Sequence, residues 1–296
     1  MNDDEALAST ERADPRSSAL DTLDTRDLVA LLACVGHEAV DAVVAQSSAL
    51  ADVIDDVVQR VQRGGRLHYV GAGTSGRLGV LDASEMPPTF GTAPELVCAH
   101  IAGGEAALRA AIEGAEDDAA AGRREMLGHV AAGDAVVAIS ASGNAAFAVG
   151  ALAQAREIGA LTVALVNVEI CALSECADRV VALRTGAEIL TGSTRLKAGT
   201  AQKIALNTLS TAVMVRLGRV YEHWMVDLVA SNHKLQARAR RMVEHLADVQ
   251  PERAEELLRL AGGHVKTAVL MSRCGLSAAQ ATARLAQYHG RLRDAL

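Results

Sequence analysis

The sequence predicts an α/β fold: a parallel five-stranded sheet, helices ahead of it and a small helical subdomain behind it. Three observations carry this. Five short apolar runs, Arg66–Gly71, Leu96–Ile101, Ala135–Ile139, Leu161–Val166 and Arg179–Leu183, alternate with segments of helical period. The runs are nearly continuous in apolar character, as in strands covered on both faces. Half of the 296 residues are hydrophobic and 22% are charged, which suits a large core and excludes a disordered chain.

Each element has a local reason. From Asp27 to Val61 apolar positions recur at helical spacing and break near Gly36. This predicts two helices after a polar arm that carries Pro15. Gly64-Gly65 then interrupts the period before the first strand. Asn144–Ile158 reads as a helix closed by Gly159, and Thr194–Leu217 as a long helix. After Val249-Gln250-Pro251 only short helices follow, at Pro251–Leu260, Val265–Met271 and Ser277–Tyr288. The expected organisation is an N-terminal arm with helices over 1–62, a sheet domain over 63–249 and a helical subdomain over 250–296.

Composition removes several function classes. A net charge of −7 and 2% aromatic residues leave neither a basic stripe nor stacking surfaces for a nucleic acid. Ala135–Ala155 is uncharged and approaches bilayer length, but the polar Ser140–Asn144 interrupts it. A strand, a loop and a helix are expected there, and no membrane partner. The acidic opening M-N-D-D-E is the opposite of a signal peptide, and five cysteines outline no disulfide framework. Reduced thiols and a cytoplasmic location are expected. The histidines and cysteines form no H-x-H, H-E-x-x-H or C-x-x-C spacing, so no metal is expected. His68 and His100 read as core or rim histidines.

Ligands of open parallel sheets bind beyond the carboxyl ends of the strands. Gly71–Arg77, G-A-G-T-S-G-R, follows the first strand and matches G-x-G-x-x-G. The second strand ends His100-Ile101-Ala102, without the acid that a dinucleotide ribose wants. Gly73, Thr74 and Ser75 instead offer backbone and hydroxyl donors to a small anion. The loop after the third strand supplies Ser140, Ser142, Gly143 and Asn144, and the L-T-G-S-T-R-L-K segment supplies Ser193 and Thr194. One such turn is an ordinary helix cap. Three at one sheet edge point to a phosphomonoester held by neutral donors.

Two carboxylates are candidates for acid–base chemistry. Glu85 precedes Met86-Pro87-Pro88, and the prolines are expected to end its helix, where the dipole disfavours a carboxylate. Glu113, before Gly114, is expected at a second helix end. Glu116, Asp117 and Asp118 read as a solvated acidic turn.

Tyr69–Gly91, Y-V-G-A-G-T-S-G-R-L-G-V-L-D-A-S-E-M-P-P-T-F-G, resembles the signature of the N-acetylmuramic acid 6-phosphate etherases, which are sugar-isomerase-type (SIS) domain proteins. Ile101–Glu105, Glu113–Asp118, Leu190–Lys203 and Met225–Leu228 match in order and spacing, as do Ser9–Ser17 and Gly263–Met271. The resemblance implies an SIS-type αβα sandwich, a homodimer, no cofactor and a small-molecule sugar phosphate as substrate. It also implies cleavage of the D-lactyl ether of N-acetylmuramic acid 6-phosphate to N-acetylglucosamine 6-phosphate and D-lactate. The family's acid–base glutamates fall on Glu85 and Glu113, with Glu85 as proton donor. The chain departs from the family at Ser142–Phe147, S-G-N-A-A-F, where relatives usually read S-G-R-T-P-Y. A non-catalytic phosphosugar sensor and an aldose–ketose phosphate isomerase are the alternative readings.

Overall fold

Five buried apolar runs form one parallel sheet: β1 (Leu67–Gly71), β2 (Val97–Ile101), β3 (Ala135–Ser140), β4 (Leu161–Val166) and β5 (Arg179–Ala182), in the order β2-β1-β3-β4-β5. The computed structural model describes residues 9–230 and 232–296. Every residue of β3 and β4 is buried, which is why neither run alternates polar with apolar. The five strands lie where the sequence places them, to within a residue at either end.

Three helices precede the sheet: α1 (Thr25–Cys34), α2 (Gly36–Val44) and α3 (Ser47–Gln62). Two were expected. The second break lies at Ala45–Gln46, where apolar spacing continues and no glycine or proline marks the turn. Ser9–Glu11, Pro15–Ser17 and Leu20–Thr22 of the expected arm are 3-10 turns, while residues 1–8 lie outside the described residues. Ion pairs hold this segment: Arg16 bridges Asp14 at 2.6 Å and Glu38 at 2.5 Å, and Glu38 also meets Lys197 at 2.6 Å.

Between the strands run α4 (Gly73–Ser84), α5 (Met86–Phe90), α6 (Ala119–His129), α7 (Ala146–Ile158) and α8 (Ala172–Cys176). Right-handed crossovers put α4 on one face of the sheet and α6 to α8 on the other. Adjacent β1 residues report the two faces. The Tyr69 hydroxyl donates to Asp82 of α4 at 3.0 Å, while Val70 packs in the cluster that holds Phe147, Ala151 and Leu152 of α7. The long helix α9 (Lys197–Arg216) returns to the Asp82 side, where Asn207 donates to Asp82 at 2.6 Å. The uncharged Ala135–Ala155 stretch is β3, a loop and most of α7, as expected. Among the described residues no single helix is long and apolar enough to cross a membrane.

Chain contacts divide the protein into two compact units, Met1–Ala83 with Glu95–Leu209, and Ser84–Pro94 with Ser210–Leu296. The second contains α10 (His233–Ala247), α11 (Pro251–Leu260), α12 (Val265–Cys274), α13 (Ala278–Gln287) and α14 (Leu292–Ala295) around a core of Met242, Val243, Leu257, Val269 and Leu270. Within it, Gly91 of the P-P-T-F-G segment abuts the Asp227 carbonyl of M-V-D-L, so close that a Cβ would collide. Asp227 also pairs with the buried Lys266 of G-H-V-K-T at 2.7 Å. Three motifs distant in sequence thus share one packing point.

A buried polar ladder crosses the amino ends of the strands. Asp134 accepts from the Arg66 and Ala131 backbone N–H groups at 2.8 and 2.9 Å, from the Arg66 guanidinium at 3.0 Å, and contacts His68 Nε2 at 3.2 Å. Burial alone raises such an acid; the N–H groups of Ala131 and Arg66 outweigh it and hold Asp134 below the ordinary carboxylate range. Burial pushes His68 down to about 4 and lowers His100 as well. Removing the carboxylate leaves several buried donors unpaired. Asp134→Ala should therefore cost about 3 kcal/mol, a fall of roughly 6–12 °C in Tm by calorimetry. An unchanged Tm would show that water replaces the carboxylate without loss.

Candidate functional site

The sheet reverses its winding between β1 and β3, since β2 lies to one side of β1 and β3 to the other. The loops that leave these two strands diverge there, and a crevice opens between them. A cleft of about 350 Å³ occupies this position. It is lined by Gly73, Thr74 and Ser75 after β1, by Ser140, Ser142 and Asn144 after β3, and by Thr194. Gly143 and Ser193, also expected here, are not among its lining residues.

Missing side chains make the first loop possible. A Cβ on Gly71 would lie 2.9 Å from both the Gly76 nitrogen and the Ile139 carbonyl oxygen; one on Gly76 would lie 2.6 Å from Ile101 Cγ1 and 2.7 Å from the Gly71 carbonyl oxygen. The first turn of α4 therefore rests directly on the ends of β1, β2 and β3. Its N–H groups and the Thr74 and Ser75 hydroxyls come to the crevice together. Ser75 is positioned from behind: its hydroxyl donates to Gln202 at 2.8 Å, Gln202 donates to Asn167 at 2.9 Å, and Asn167 donates to the Leu183 carbonyl at 3.0 Å. A chain of buried amides thus ties the loop to α9, β4 and β5.

The second loop is locked from within. The Gly143 N–H donates to Ser140 Oγ at 3.0 Å, and the Asn144 N–H to Ser142 Oγ at 3.3 Å. Gly143 is left-handed, with φ of 71°. Asn144 reaches the cleft but its side-chain oxygen accepts from the Ala172 N–H at 3.0 Å, tying the loop to the start of α8. The Thr194 segment is fixed by Glu188, fully buried, which accepts from the Lys197 and Ala198 N–H groups at 3.0 and 2.9 Å and so caps α9. Sequence reading passes over Glu188: Ser193 and Thr194 stand at the start of the helix as ordinary hydroxyl caps, and no spacing marks a carboxylate nine residues before Lys197 as the cap.

The charge of the cleft is unusual for an anion site. Glu11, Glu116 and Asp117 reach it, and no Lys or Arg is among its lining residues. The expected solvated acidic turn is therefore part of the cleft wall, placed by a short 3-10 turn over Ala115–Asp117. The donors that the cleft offers are hydroxyls, backbone N–H groups and the amino end of α4.

The two candidate glutamates lie elsewhere in the chain. Glu113 is exposed in an irregular stretch after the 3-10 turn Glu105–Leu108, followed by left-handed Gly114. It is not at a helix end, because the chain after β2 forms only a 3-10 turn and α6 begins at Ala119. Glu85 belongs to the second unit. It follows the last residue of α4 and is the N-cap of α5. Pro87-Pro88 thus opens α5 and does not end α4: proline lacks only an N–H that the first turn leaves unused. Asp82, on the other side of that junction, is a buried tie between β1 and α9.

The neutral-donor cleft makes a direct prediction. Thr74→Val and Ser142→Ala should each weaken binding of a phosphomonoester about tenfold, at one hydrogen bond per substitution, with no change in Tm. Calorimetric titration checks this; unchanged affinity in both variants would remove the anion from this cleft.

Residues 49–156 match the glucokinase regulatory protein N-terminal SIS domain family, and residues 115–212 match the SIS domain family. Among solved structures, a protein of E. coli CFT073 superposes with a TM-score of 0.50 at 20% identity, over 66% of this chain and 93% of that one. A phosphoheptose isomerase from Neisseria gonorrhoeae gives 0.50 at 18% identity, over 64% and 97%. These share the fold. N-acetylmuramic acid 6-phosphate etherases are much nearer: that of Deinococcus radiodurans is 49% identical over 97% of this chain and 94% of its own length, and that of a Synechococcus strain 51% over 97% and 91%. That of Cutibacterium acnes is 45% identical over 98% and 96%. The αβα sheet, the hydroxyl loops at its switch point and this near end-to-end identity place the chain in the N-acetylmuramic acid 6-phosphate etherase family, a family of carbon–oxygen lyases.

Proposed function

We propose that this protein cleaves the D-lactyl ether of N-acetylmuramic acid 6-phosphate, releasing D-lactate and N-acetylglucosamine 6-phosphate. The observation that carries this reading is 49–51% identity to etherases over 97% of the chain. The cleft supports it. Gly73, Thr74, Ser75, Ser140, Ser142, Asn144 and Thr194, which line the cleft, are assigned to the phosphate and its neighbouring atoms, while Gly143 and Ser193, outside its lining, are assigned to holding their loops. The rim carboxylates of Glu11, Glu116 and Asp117 suit the hydroxyl and amide donors of a sugar.

In the open-chain sugar, C2 lies α to the aldehyde and its proton is acidic. We assign Glu113 as the base that removes it. The electron pair forms the C2–C3 double bond and expels the lactyl ether oxygen from C3, which takes a proton from Glu85. Water then adds its hydroxide to C3 while C2 regains a proton, so the net reaction consumes one water. Positioned acids and bases of this kind contribute about 10²–10⁴-fold each.

D-lactate release from purified protein and N-acetylmuramic acid 6-phosphate tests the activity. Glu85→Gln and Glu113→Gln should each lower it by at least about 100-fold. The roles separate in heavy water: Glu85→Gln should keep deuterium exchange at C2, and Glu113→Gln should lose it. Loss of exchange in Glu85→Gln alone would reverse the assignment.

The match of residues 49–156 to the glucokinase regulatory protein N-terminal SIS domain favours a second reading, a non-catalytic phosphosugar sensor. Saturable binding without lactate would select it. Aldehyde–ketone interconversion without lactate would select an isomerase.

A cytoplasmic homodimer completes the proposal. Helix α1 has no buried residue, yet carries Leu28, Val29, Leu31 and Leu32, and α2 leaves Val40 and Val44 exposed. A second copy covering this stripe explains its composition. Val29→Asp with Val44→Asp should convert a dimer to a monomer in sedimentation velocity; a dimer that survives both would exclude this face.

A further inference from the structure

The cleft does not account for a second chemically dense place in the sheet unit. His100 ends near α6, where Glu125 and His129 stand four residues apart on one helical face. His100 Nδ1 lies 2.8 Å from Glu125 Oε1, and His129 Nδ1 lies 3.5 Å from the same oxygen. One ligand atom from each of the three falls within 4.8 Å of the others. We propose that His100, Glu125 and His129 bind one divalent transition-metal ion of the zinc class.

Two imidazoles and a carboxylate are the donor set of three-ligand zinc sites that keep a fourth position for water or another ligand. The edge of a tetrahedral zinc site is about 3.3 Å, so the Glu125 carboxylate must draw back slightly from His100, and the exposed His129 ring, whose Nδ1 lies 2.8 Å from the Glu125 backbone carbonyl, must turn towards both. Space for the fourth ligand exists. His100 and Glu125 stand in the wall of a cavity of about 440 Å³ that also reaches Gly103, Gly104 and Glu105.

Hydrogen-bond accounting points the same way. Asp134, His68, His100 and Glu125 form a line of three contacts: His68 Nε2 to Asp134 at 3.2 Å, His68 Nδ1 to His100 Nε2 at 3.0 Å, and His100 Nδ1 to Glu125 at 2.8 Å. Each contact needs one hydrogen, and two neutral imidazoles carry two. If Asp134 takes the first N–H and His68 Nδ1 accepts the second from His100 Nε2, His100 Nδ1 turns a bare lone pair towards the Glu125 carboxylate. A divalent ion that takes both groups as ligands, with their 2.8 Å contact opened to a coordination edge, resolves that conflict. The same line then becomes the carboxylate–histidine backing that fixes the tautomer of a metal ligand. Arg66 is the nearby opposing charge, and Asp134 pairs with it at 3.0 Å.

Chelator-treated full-length protein, titrated with Zn²⁺ against a competing dye and with Co²⁺ as a visible-absorption probe, tests the site. One ion per chain and the absorption of four-coordinate Co²⁺ are expected. Glu125→Gln and His129→Ala, both at positions in contact with solvent, should each weaken binding at least about 100-fold and remove the Co²⁺ spectrum while Tm stays unchanged without metal. Absence of saturable binding would mean that a proton alone bridges His100 and Glu125, and would overturn the proposal. One ion bound with unchanged affinity in both variants would overturn it equally, by placing the ion elsewhere.

Discussion

The site rests on one steric constraint: no side chain fits between the first turn of α4 and the ends of β1 and β3. Gly71 and Gly76 meet each other's backbone and the Ile139 carbonyl at distances that no Cβ tolerates. Because the helix sits that close, its first N–H groups and the Thr74 side chain reach the switch point of the sheet, with Ser75 held from behind by Gln202. The order β2-β1-β3 then brings the Ser140–Asn144 loop to the same crevice. Buried amides behind Ser75 and the Glu188 cap behind Thr194 hold the remaining walls.

On the proposed function, this construction lets a chain with net charge −7 offer an anion a cleft that has no Lys or Arg among its described lining residues. Hydroxyls and peptide dipoles are neutral and can be packed against apolar strands without counter-ions. Carboxylates then remain available at the rim as acceptors. The arrangement suits a ligand that is anionic at one end and rich in donors at the other.

Much of this was legible in sequence, for physical reasons. Fully buried parallel strands must be continuously apolar, so β3 and β4 announce themselves. Glycines with hydroxyls after a strand mark a close helix–strand junction, so Thr74, Ser75, Ser140 and Ser142 were legible too. The failures are also local. The break between α2 and α3 carries no glycine or proline, and apolar spacing runs through it. Pro87-Pro88 ends one helix or opens the next with equal ease, and only the backbone decides. Glu116 and Asp117 look like any solvated acidic turn until the 3-10 turn sets them against the cleft. His100, Glu125 and His129 meet only because β2 and α6 are neighbours, which no sequence spacing encodes.

A crystal structure with N-acetylglucosamine 6-phosphate would show whether the switch-point crevice holds a sugar phosphate through neutral donors. Phosphate oxygens should lie within hydrogen-bond distance of the Thr74 and Ser142 hydroxyls and of the first N–H groups of α4. A phosphate held instead by lysine or arginine side chains away from these loops would contradict it.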